Sequence, residues 1–171
     1  MNILKFHPHQ NIKISNPLSL KEIGSANTIK NINGMFELMK QSNGVGLAAP
    51  QIGWHKRVIV YGVDPSKSIR KKLALIPETI MINPVITDKS NDIVSDYEGN
   101  LSVENVVGLI DRSNEIIIKY ISSNGEVLTK HVFGFEARIV QHEIDQLDGI
   151  LFTQKSKKLI TMSEYLKIIE S

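Results

Sequence analysis

Apolar residues recur at helical spacing in two separate stretches of the chain. Between Ser25 and Gln41 they fall mostly on one face of a helix, at Ile29, Ile32, Met35, Phe36, Leu38 and Met39. Either Ser25 or Asn27 can serve as its N-cap. The second stretch begins near Phe135 and ends at Gly149, with apolar residues at Ala137, Ile139, Val140, Ile144 and Leu147. The pattern therefore predicts two helices.

Between these helices the pattern changes to the alternation and the short apolar runs that are typical of β-strands. Ser123-Asn124-Gly125-Glu126 has the composition of a hairpin turn, with Asn-Gly suited to type I′. Asn83-Pro84 interrupts another run, which suits a sheet edge or a bulge. The predicted strands are residues 57–63, 79–87, 115–122 and 127–133.

The order of the elements predicts the fold class. Residues 1–20 are broken by two prolines and are expected to form an extended arm. A short C-terminal helix is predicted from Glu164 to Ile169, with Ser163 as its N-cap. Strands in a run, with helices before and after, indicate an α+β fold with mostly antiparallel sheet. At 171 residues, the chain is predicted to form a single domain over residues 1–171.

Composition and charge argue against several classes of function, namely obligatory nucleic-acid binding, thiol chemistry and membrane insertion. The 20 Lys+Arg and 18 Asp+Glu leave a net charge of +2, which argues against an obligatory nucleic-acid partner. Two small basic clusters, Arg70-Lys71-Lys72 and residues 155–158, are interpreted as solvated charge. The chain has no cysteine, which excludes disulfides and thiolate chemistry. No apolar run approaches the roughly 18 residues of a membrane helix, so we expect a cytoplasmic protein with no membrane partner.

The second predicted helix carries the first candidate for chemistry, in Gln141-His142-Glu143-Ile144-Asp145-Gln146-Leu147. His142 and Gln146 are four residues apart and share a helix face, with Glu143 turned by about 100° from His142. This layout nearly matches H-E-x-x-H, in which two imidazoles hold a metal and the Glu moves protons for the metal-bound water. Here the second His is a Gln.

Small residues crowd into another stretch, from Asn43 to Gly53. Three glycines, two alanines and a proline fall within its eleven residues. Such a backbone can approach another segment or a ligand closely. The stretch lacks the G-K-[ST] ending of a phosphate loop.

Three stretches together resemble the motifs of the peptide deformylases, in that family's order and spacing and over nearly the whole chain. They are Gly44-Val45-Gly46-Leu47-Ala48-Ala49-Pro50-Gln51-Ile52-Gly53, Glu98-Gly99-Asn100-Leu101-Ser102, and Gln141 to Leu147. The resemblance implies a peptide-deformylase-like fold, in which sheets surround a central helix carrying His142-Glu143. An N-terminal helix packs nearby and a short C-terminal helix follows.

The resemblance also implies a reaction. In the family a divalent metal, commonly Fe²⁺ with Zn²⁺, Ni²⁺ or Co²⁺ as substitutes, is held by one Cys and two His. Its hydroxide attacks the formyl carbon of an N-formylmethionyl peptide, such as the N-terminus of a nascent chain, and formate leaves.

Carried over residue by residue, the resemblance makes Glu143 the general base and makes Gln51 and the Leu101 N–H the donors to the oxyanion. The positions that line the substrate cleft are Val45, Gly46, Glu98 and Gly99. The metal positions are Asn100, His142 and Gln146. Asn100 stands where the family has Cys, and Gln146 where it has the second His.

These two amides change the expected chemistry. Amide oxygens suit hard ions, whereas Zn²⁺ and Fe²⁺ favour nitrogen and sulfur ligands. We therefore expect weak or absent metal binding and deformylase activity, with a retained peptide cleft. The alternative is an active metal-dependent deformylase or amidase with an Asn/His/Gln site. A third interpretation is a protein-interaction module that binds neither metal nor peptide.

The sequence alone leaves two structural questions open. Without a metal, the side chains of Asn100, His142 and Gln146 are able to hydrogen-bond one another, because amides both donate and accept. Arg112 and Asp145 either form a supporting ion pair or are separate surface charges.

Overall fold

Two antiparallel sheets form the framework that carries the motifs. The computed structural model describes residues 1–67 and 73–170, so the basic cluster Arg70-Lys71-Lys72 lies outside the described residues. The helices are α1 (Leu20–Ile23), α2 (Ala26–Gln41), α3 (Gly134–Leu147), α4 (Phe152–Lys155) and α5 (Met162–Glu170). Two 3-10 turns cover Ala49–Ile52 and Pro65–Lys67. The strands are β1 (Gly46–Ala48), β2 (Val58–Val63), β3 (Ile76–Lys89), β4 (Ile93–Asn100), β5 (Val103–Ser113), β6 (Glu115–Ile121), β7 (Val127–Phe133) and β8 (Lys158–Thr161).

The strand order places two of the motifs on edge strands of the sheets. The larger sheet has the order β1-β2-β3-β6-β7, so the first motif lies on the edge strand β1. The smaller sheet has the order β4-β5-β8. The second motif occupies the end of β4 and the turn into β5, through Leu101 and Ser102. All strand pairs in both sheets are antiparallel.

Helix α2 begins where the sequence predicts. The Ser25 hydroxyl accepts a hydrogen bond from the Thr28 N–H at 3.2 Å, so Ser25 is the N-cap of the two candidates. Its buried residues Ile32, Met35 and Met39 pack with apolar residues of β1, β2 and β3. This helix therefore covers one face of the larger sheet.

Helix α3 is the central element and packs against strands of both sheets, including β1, β2 and β7 of the larger and β5 of the smaller. Its residues Ala137, Val140 and Leu147 are fully buried in the apolar core beneath the larger sheet. Its polar residues Gln141, His142, Glu143 and Gln146 are buried as well. Buried polar groups require hydrogen-bond partners, and these partners build the candidate site.

The N-terminal arm connects all three motifs. The Leu4 N–H donates to the Gln51 carbonyl at 2.7 Å, and the Phe6 N–H donates to the Ser102 carbonyl at 2.7 Å. Further along, the Ser15 N–H donates to the Leu147 carbonyl at the end of α3 at 2.8 Å. The arm thus fixes the two motif loops relative to the central helix.

The structure confirms the predicted α+β fold, with mostly antiparallel sheets around the helix that carries His142-Glu143 and with N-terminal and short C-terminal helices. The Asn83-Pro84 irregularity is also confirmed, since the register of β3 against β6 shifts between Ile82 and Val85. However, β3 continues through it and lies in the middle of the sheet. Within residues 1–67 and 73–170, no helix combines the length and apolar content needed to cross a membrane.

Two local predictions are wrong. A type I′ turn needs positive φ at both central residues, but in the β6–β7 hairpin Gly125 has φ +82° and Asn124 does not share this conformation. Helix α5 begins at Met162, and its N-terminus is capped by Thr161 rather than Ser163. Thr161 and Glu164 form a reciprocal pair, in which each side chain accepts from the other residue's N–H, at 3.2 and 2.7 Å.

Candidate functional site

A cavity of about 270 Å³ opens where α3 meets the first two motifs. It brings together nine of the ten predicted site residues: Val45, Gly46, Gln51, Glu98, Gly99, Asn100, Leu101, His142 and Glu143. The tenth, Gln146, does not line it, although its side chain contacts Glu143. The three motifs therefore converge on one place.

Gln51 is held by the 3-10 turn that follows β1. Its Oε1 accepts from the Ala48 N–H at 2.9 Å, which orients the side-chain amide. Its Nε2 donates to Oδ1 of Asn100 and to the hydroxyl of Ser102, each at 3.1 Å. Both amide hydrogens of the predicted oxyanion donor are thus engaged by the second motif.

Asn100 links Gln51 to His142. Its Oδ1 accepts from the Ser102 N–H at 2.7 Å and from Gln51, so Nδ2 is the atom that faces His142. Nδ2 lies 3.1 Å from Nε2 of His142. An amide nitrogen is only a donor, so Nε2 accepts and the ring proton is on Nδ1. Nδ1 donates to Oε2 of Glu98 at 2.8 Å.

Glu98 lies at the centre of a buried ion network. Arg112 donates to both of its oxygens, at 2.9 and 2.8 Å, and Arg138 donates to Oε1 at 2.7 Å. Burial alone raises the pKa of Glu98, but the Arg112 hydrogen bonds, with that of His142, hold it well below its usual range. Arg112 also pairs with Asp145, so of the two alternatives for these residues the supporting ion pair is the one observed.

His142 is held between this network and an aromatic ring. Burial lowers the pKa of His142, but the hydrogen bond to Glu98 and the charges of Glu143 and Glu98 outweigh it, so the pKa is raised. The imidazole also stacks on Phe152, with ring centroids 6.1 Å apart. The orientation of the ring is therefore fixed on several sides.

Glu143 is a carboxylate beside the cavity, with 4% of its surface exposed. Its Oε2 accepts from Nε2 of Gln146 at 2.7 Å. Its Oε1 lies against Gly46, where an added Cβ would come within 2.5 Å of that oxygen. Burial raises the pKa of Glu143 to about 7, with a further contribution from the charge of Glu98.

Gln146 does not join the cluster as expected. Its amide pairs with Glu143 instead of with Asn100 or His142, so the predicted three-residue cluster is right for Asn100 and His142 and wrong for Gln146. Within the described residues, its Oε1 is buried and has no hydrogen-bond partner. One acceptor of the site is therefore unsatisfied.

The donor set does not fit Fe²⁺ or Zn²⁺. The three metal positions offer one imidazole and two neutral amides, and these ions favour nitrogen and thiolate ligands. The Asn100 oxygen is directed to Gln51 and Ser102, while its nitrogen faces the ring nitrogen that a metal would need. Over residues 1–67 and 73–170, no group of three or more His, Cys, Asp or Glu is arranged to hold a metal ion.

Several residues of the cavity wall carry no recognisable signal in the sequence. Arg138 shares its helix face with Gln141 and His142, and only the fold shows that β4 and β5 supply its partners. Met162 and Tyr165 reach the cavity from α5, far from the motifs in sequence. Phe135 and Ile139 belong to the predicted helix, but the sequence did not mark them as part of the cavity wall.

Comparison with known proteins agrees with the geometry. A family model described as polypeptide deformylase matches residues 2–161. The chain is 36% identical over 154 residues to peptide deformylase 2 of Pseudomonas putida, covering 90% of this chain and 86% of that protein. It is 44% identical over 133 residues to the peptide deformylase of Pelotomaculum thermopropionicum, covering 78% of each.

Solved structures show the same likeness in three dimensions. The chain is similar to a Met-Ala-Ser-bound class I type b peptide deformylase from Acinetobacter baumannii, with a TM-score of 0.82 and 32% identity. The match covers 91% of this chain and 97% of that one. The family is metal-dependent and acts on N-formylmethionyl peptides. By sequence and by structure, this chain belongs to the polypeptide deformylase family.

Proposed function

We propose that this protein binds peptide N-termini in a deformylase-type cleft and has weak or absent metal-dependent deformylase activity. The observation that supports this most directly is the Asn100 amide, which lies between the predicted oxyanion donor and the predicted metal ligand. It accepts from Gln51 at 3.1 Å and faces Nε2 of His142 at 3.1 Å. One neutral side chain thus engages two groups that the family's reaction would need.

The loss of activity follows from ligand chemistry. In the family pattern position 100 is Cys and position 146 is His, and here both are neutral amides. Weakening even a partner outside the ligand set typically lowers metal affinity by about 10–100-fold, so replacing two ligands is expected to cost more. Without a bound metal, water keeps its high pKa and Glu143 has no activated nucleophile to deprotonate.

Peptide binding depends on the residues that line the cleft rather than on the two replaced metal ligands, and these lining residues are present. Val45, Gly46, Glu98, Gly99 and Leu101 line the cavity, as do Gln51 and Glu143. Binding and reaction depend on different interactions, so one is able to persist without the other. The Met-Ala-Ser complex of the Acinetobacter baumannii deformylase supports a peptide occupant. The natural partner is then the N-terminus of a nascent or newly made chain, which places the protein in the cytoplasm.

One observation favours an alternative, an active deformylase or amidase with an Asn100/His142/Gln146 metal site. Oε1 of Gln146 is buried without a partner among the described residues, and a cation would satisfy it. This alternative predicts metal-dependent turnover, whereas the proposed function predicts binding alone.

Formate release from an N-formylmethionyl peptide separates the two. The protein is purified without chelators and supplied anaerobically with Fe²⁺, Zn²⁺, Ni²⁺ or Co²⁺, beside an active deformylase as control. We expect no turnover but measurable peptide binding. Metal-dependent turnover that His142→Ala abolishes would establish the alternative. Absence of both turnover and binding would indicate an interaction module.

A further inference from the structure

We propose that this protein forms a weak homodimer in which the edge strand β7 of one copy pairs with β7 of a second copy. The two strands run antiparallel about a twofold axis at Lys130, so two five-stranded sheets join into one continuous sheet. The dimer is independent of the proposed peptide-binding function, because β7 lies at the sheet edge opposite to β1 and the cleft.

The outer edge of β7 is open along its full length. β7 is the last strand of the larger sheet, and in the described part of the chain only β6 pairs with it. Its register against β6 is continuous from Val127 to Phe133, and it contains no proline. Bulges and prolines are two of the usual features that protect an edge strand from pairing with another chain. This strand has neither.

The hydrogen bonds at both ends of the β6–β7 hairpin show which backbone groups face outward. At the turn, the Ser122 N–H donates to the Glu126 carbonyl at 2.9 Å. At the other end, the Gly134 N–H donates to the Asn114 carbonyl at 2.7 Å. Since bonding to the neighbour alternates along an antiparallel strand, the even-numbered residues of β7 bond to β6. The odd-numbered residues therefore direct their N–H and C=O groups to the open edge.

A twofold axis at Lys130 matches these outward groups with one another. Val127 then lies opposite Phe133 of the second copy and Thr129 lies opposite its His131, and symmetry repeats both pairs. Each pair exchanges two backbone hydrogen bonds, which gives about eight across the interface. A shift by one residue would bring outward groups opposite inward ones, and a shift by two would lose one of the pairs.

The side chains on the outer face are complementary under the same axis. Val127 and Phe133 are 60% and 68% exposed, and each would pack against the other across the interface. Ile121 of β6 pairs with Val127 in the register and extends this apolar row. Between the two apolar rows, the polar residues Thr129 and His131 face each other. Aromatic and β-branched residues are favourable cross-strand neighbours, so the strand fits a second copy of itself.

The charge at the axis is compensated within each copy. Lys130 lies on the same face of β7 as the buried Val132, and its Nζ is 2.5 Å from Oε1 of Glu136. The same Nζ lies 5.8 Å from the ring centroid of Tyr61. The two Lys130 side chains near the axis thus each belong to a neutral pair, which reduces their mutual repulsion.

The small size of the contact sets the expected affinity. The pairing involves one strand of 7 residues from each copy, which is less than the roughly 20–30 residues a side of a standard stable interface. We therefore expect a dissociation constant on the order of 100 µM.

Sedimentation velocity of the native protein, from about 5 µM to about 500 µM, tests the self-association. We expect the weight-average sedimentation coefficient to rise with concentration from the monomer value towards the dimer value. Phe133→Asp places a charge in the apolar row and should weaken association at least about tenfold. Leu20→Asp makes the same kind of change at a residue of α1 that is 73% exposed, and should leave association unchanged.

The absence of cysteine from the chain allows a test of the axis itself. In Lys130→Cys the two thiols would face each other, at the Cα separation of about 4.5 Å of a non-hydrogen-bonded pair, which is close enough for a disulfide. In Val127→Cys they would lie about 20 Å apart. Under mild oxidation we expect Lys130→Cys to form a covalent dimer at least about tenfold faster than Val127→Cys.

A mixture of two variants tests the same register without changing Lys130. Val127→Cys and Phe133→Cys should crosslink to each other when mixed, although neither crosslinks efficiently alone. Equal crosslinking of all positions would overturn the register. A concentration-independent monomer, or association that Phe133→Asp leaves intact, would overturn pairing through β7. Each of these outcomes leaves the proposed function untouched, because peptide binding is measured separately on the same native protein.

Discussion

The side-chain nitrogen of Asn100 lies 3.1 Å from Nε2 of His142, and this contact joins the β4–β5 turn to the central helix. Because Oδ1 of Asn100 already accepts from the Ser102 N–H, the amide has one orientation that satisfies both neighbours. The imidazole is therefore required to accept at Nε2 and to donate at Nδ1.

This requirement predicts the tautomer of His142. Long-range ¹H–¹⁵N spectra should show a protonated Nδ1 and an unprotonated Nε2 in the neutral ring. In Asn100→Asp the new carboxylate accepts rather than donates, so Nε2 should become protonated and the pKa of His142 should rise. A native ring with its proton on Nε2 would show that the Asn100 amide is turned the other way.

Restoring the family ligands should restore metal chemistry. In Asn100→Cys with Gln146→His, a thiolate and a second imidazole join His142, a donor set that suits Zn²⁺ and Fe²⁺. We expect about one metal per chain by elemental analysis and measurable formate release. Each single variant is the control and should bind metal more weakly than the pair. A double variant that binds metal but stays inert would place the defect in the substrate cleft.

The close approach of Gly46 to Glu143 predicts a strong effect of one methyl group. In Gly46→Ala the added Cβ would lie 2.5 Å from Oε1 of Glu143 and 3.0 Å from a methyl of Ile139. Displacing these buried groups is expected to destabilise the protein by about 1–3 kcal/mol and to weaken peptide binding. Gly24→Ala is the matched control, since nothing lies within 4 Å of its added Cβ. Urea unfolding and titration with Met-Ala-Ser measure both quantities, and equal behaviour of the two variants would contradict this packing argument.

The buried network around Glu98 should be sensitive to loss of its charge. Glu98→Gln keeps the shape of the side chain but leaves Arg112 and Arg138 with less compensation, so we expect a loss of about 3–5 kcal/mol. Glu104→Gln breaks the surface pair with Lys5, whose side chains are 63% and 58% exposed, and should cost less than about 1 kcal/mol. Urea unfolding compares them. A small effect of Glu98→Gln would mean that the two arginines find other acceptors.

The raised pKa of Glu143 predicts that stability falls as the pH rises. Burial moves this pKa from 4.5 to about 7, so the folded protein holds the proton more firmly than the unfolded chain does. The resulting stability is fully present below 4.5 and is lost as the pH rises through about 7. We expect this contribution to be about 1–3 kcal/mol between acidic and mildly alkaline conditions.

The comparison that isolates this effect uses Glu143→Gln. The pKa of His142 is raised too and acts in the same direction, so the native slope contains both groups. The difference between the native and variant unfolding curves near pH 5 and near pH 8 measures Glu143 together with the part of the His142 shift that the charge of Glu143 causes. Identical pH dependence in the two proteins would show that this carboxyl does not hold its proton in the folded state.

The sequence predicts the parts of this protein that depend on local pattern. The helix from Phe135 and an N-cap at Ser25 or Asn27 follow from spacing and residue type, and the convergence of the three motifs follows from the family resemblance. The network around Glu98 does not, because Arg138 finds its partners on strands that are distant in sequence. The position of Gln146 was also missed, since helical spacing places it near both His142 and Glu143 and only packing selects Glu143.

The N-terminal arm has a consequence for how the protein forms. Hydrogen bonds from Leu4, Phe6 and Ser15 reach Gln51, Ser102 and Leu147, so the partners of this arm are spread over most of the chain and are synthesised after it. Contacts of such long sequence separation form slowly, because the entropy of closing large loops opposes them. During synthesis on a ribosome, the hydrogen bond from Ser15 to Leu147 can form only after α3 has emerged. We expect the cleft to be among the last parts of the molecule to become ordered, so the nascent protein passes through a stage that is largely folded but has no binding activity.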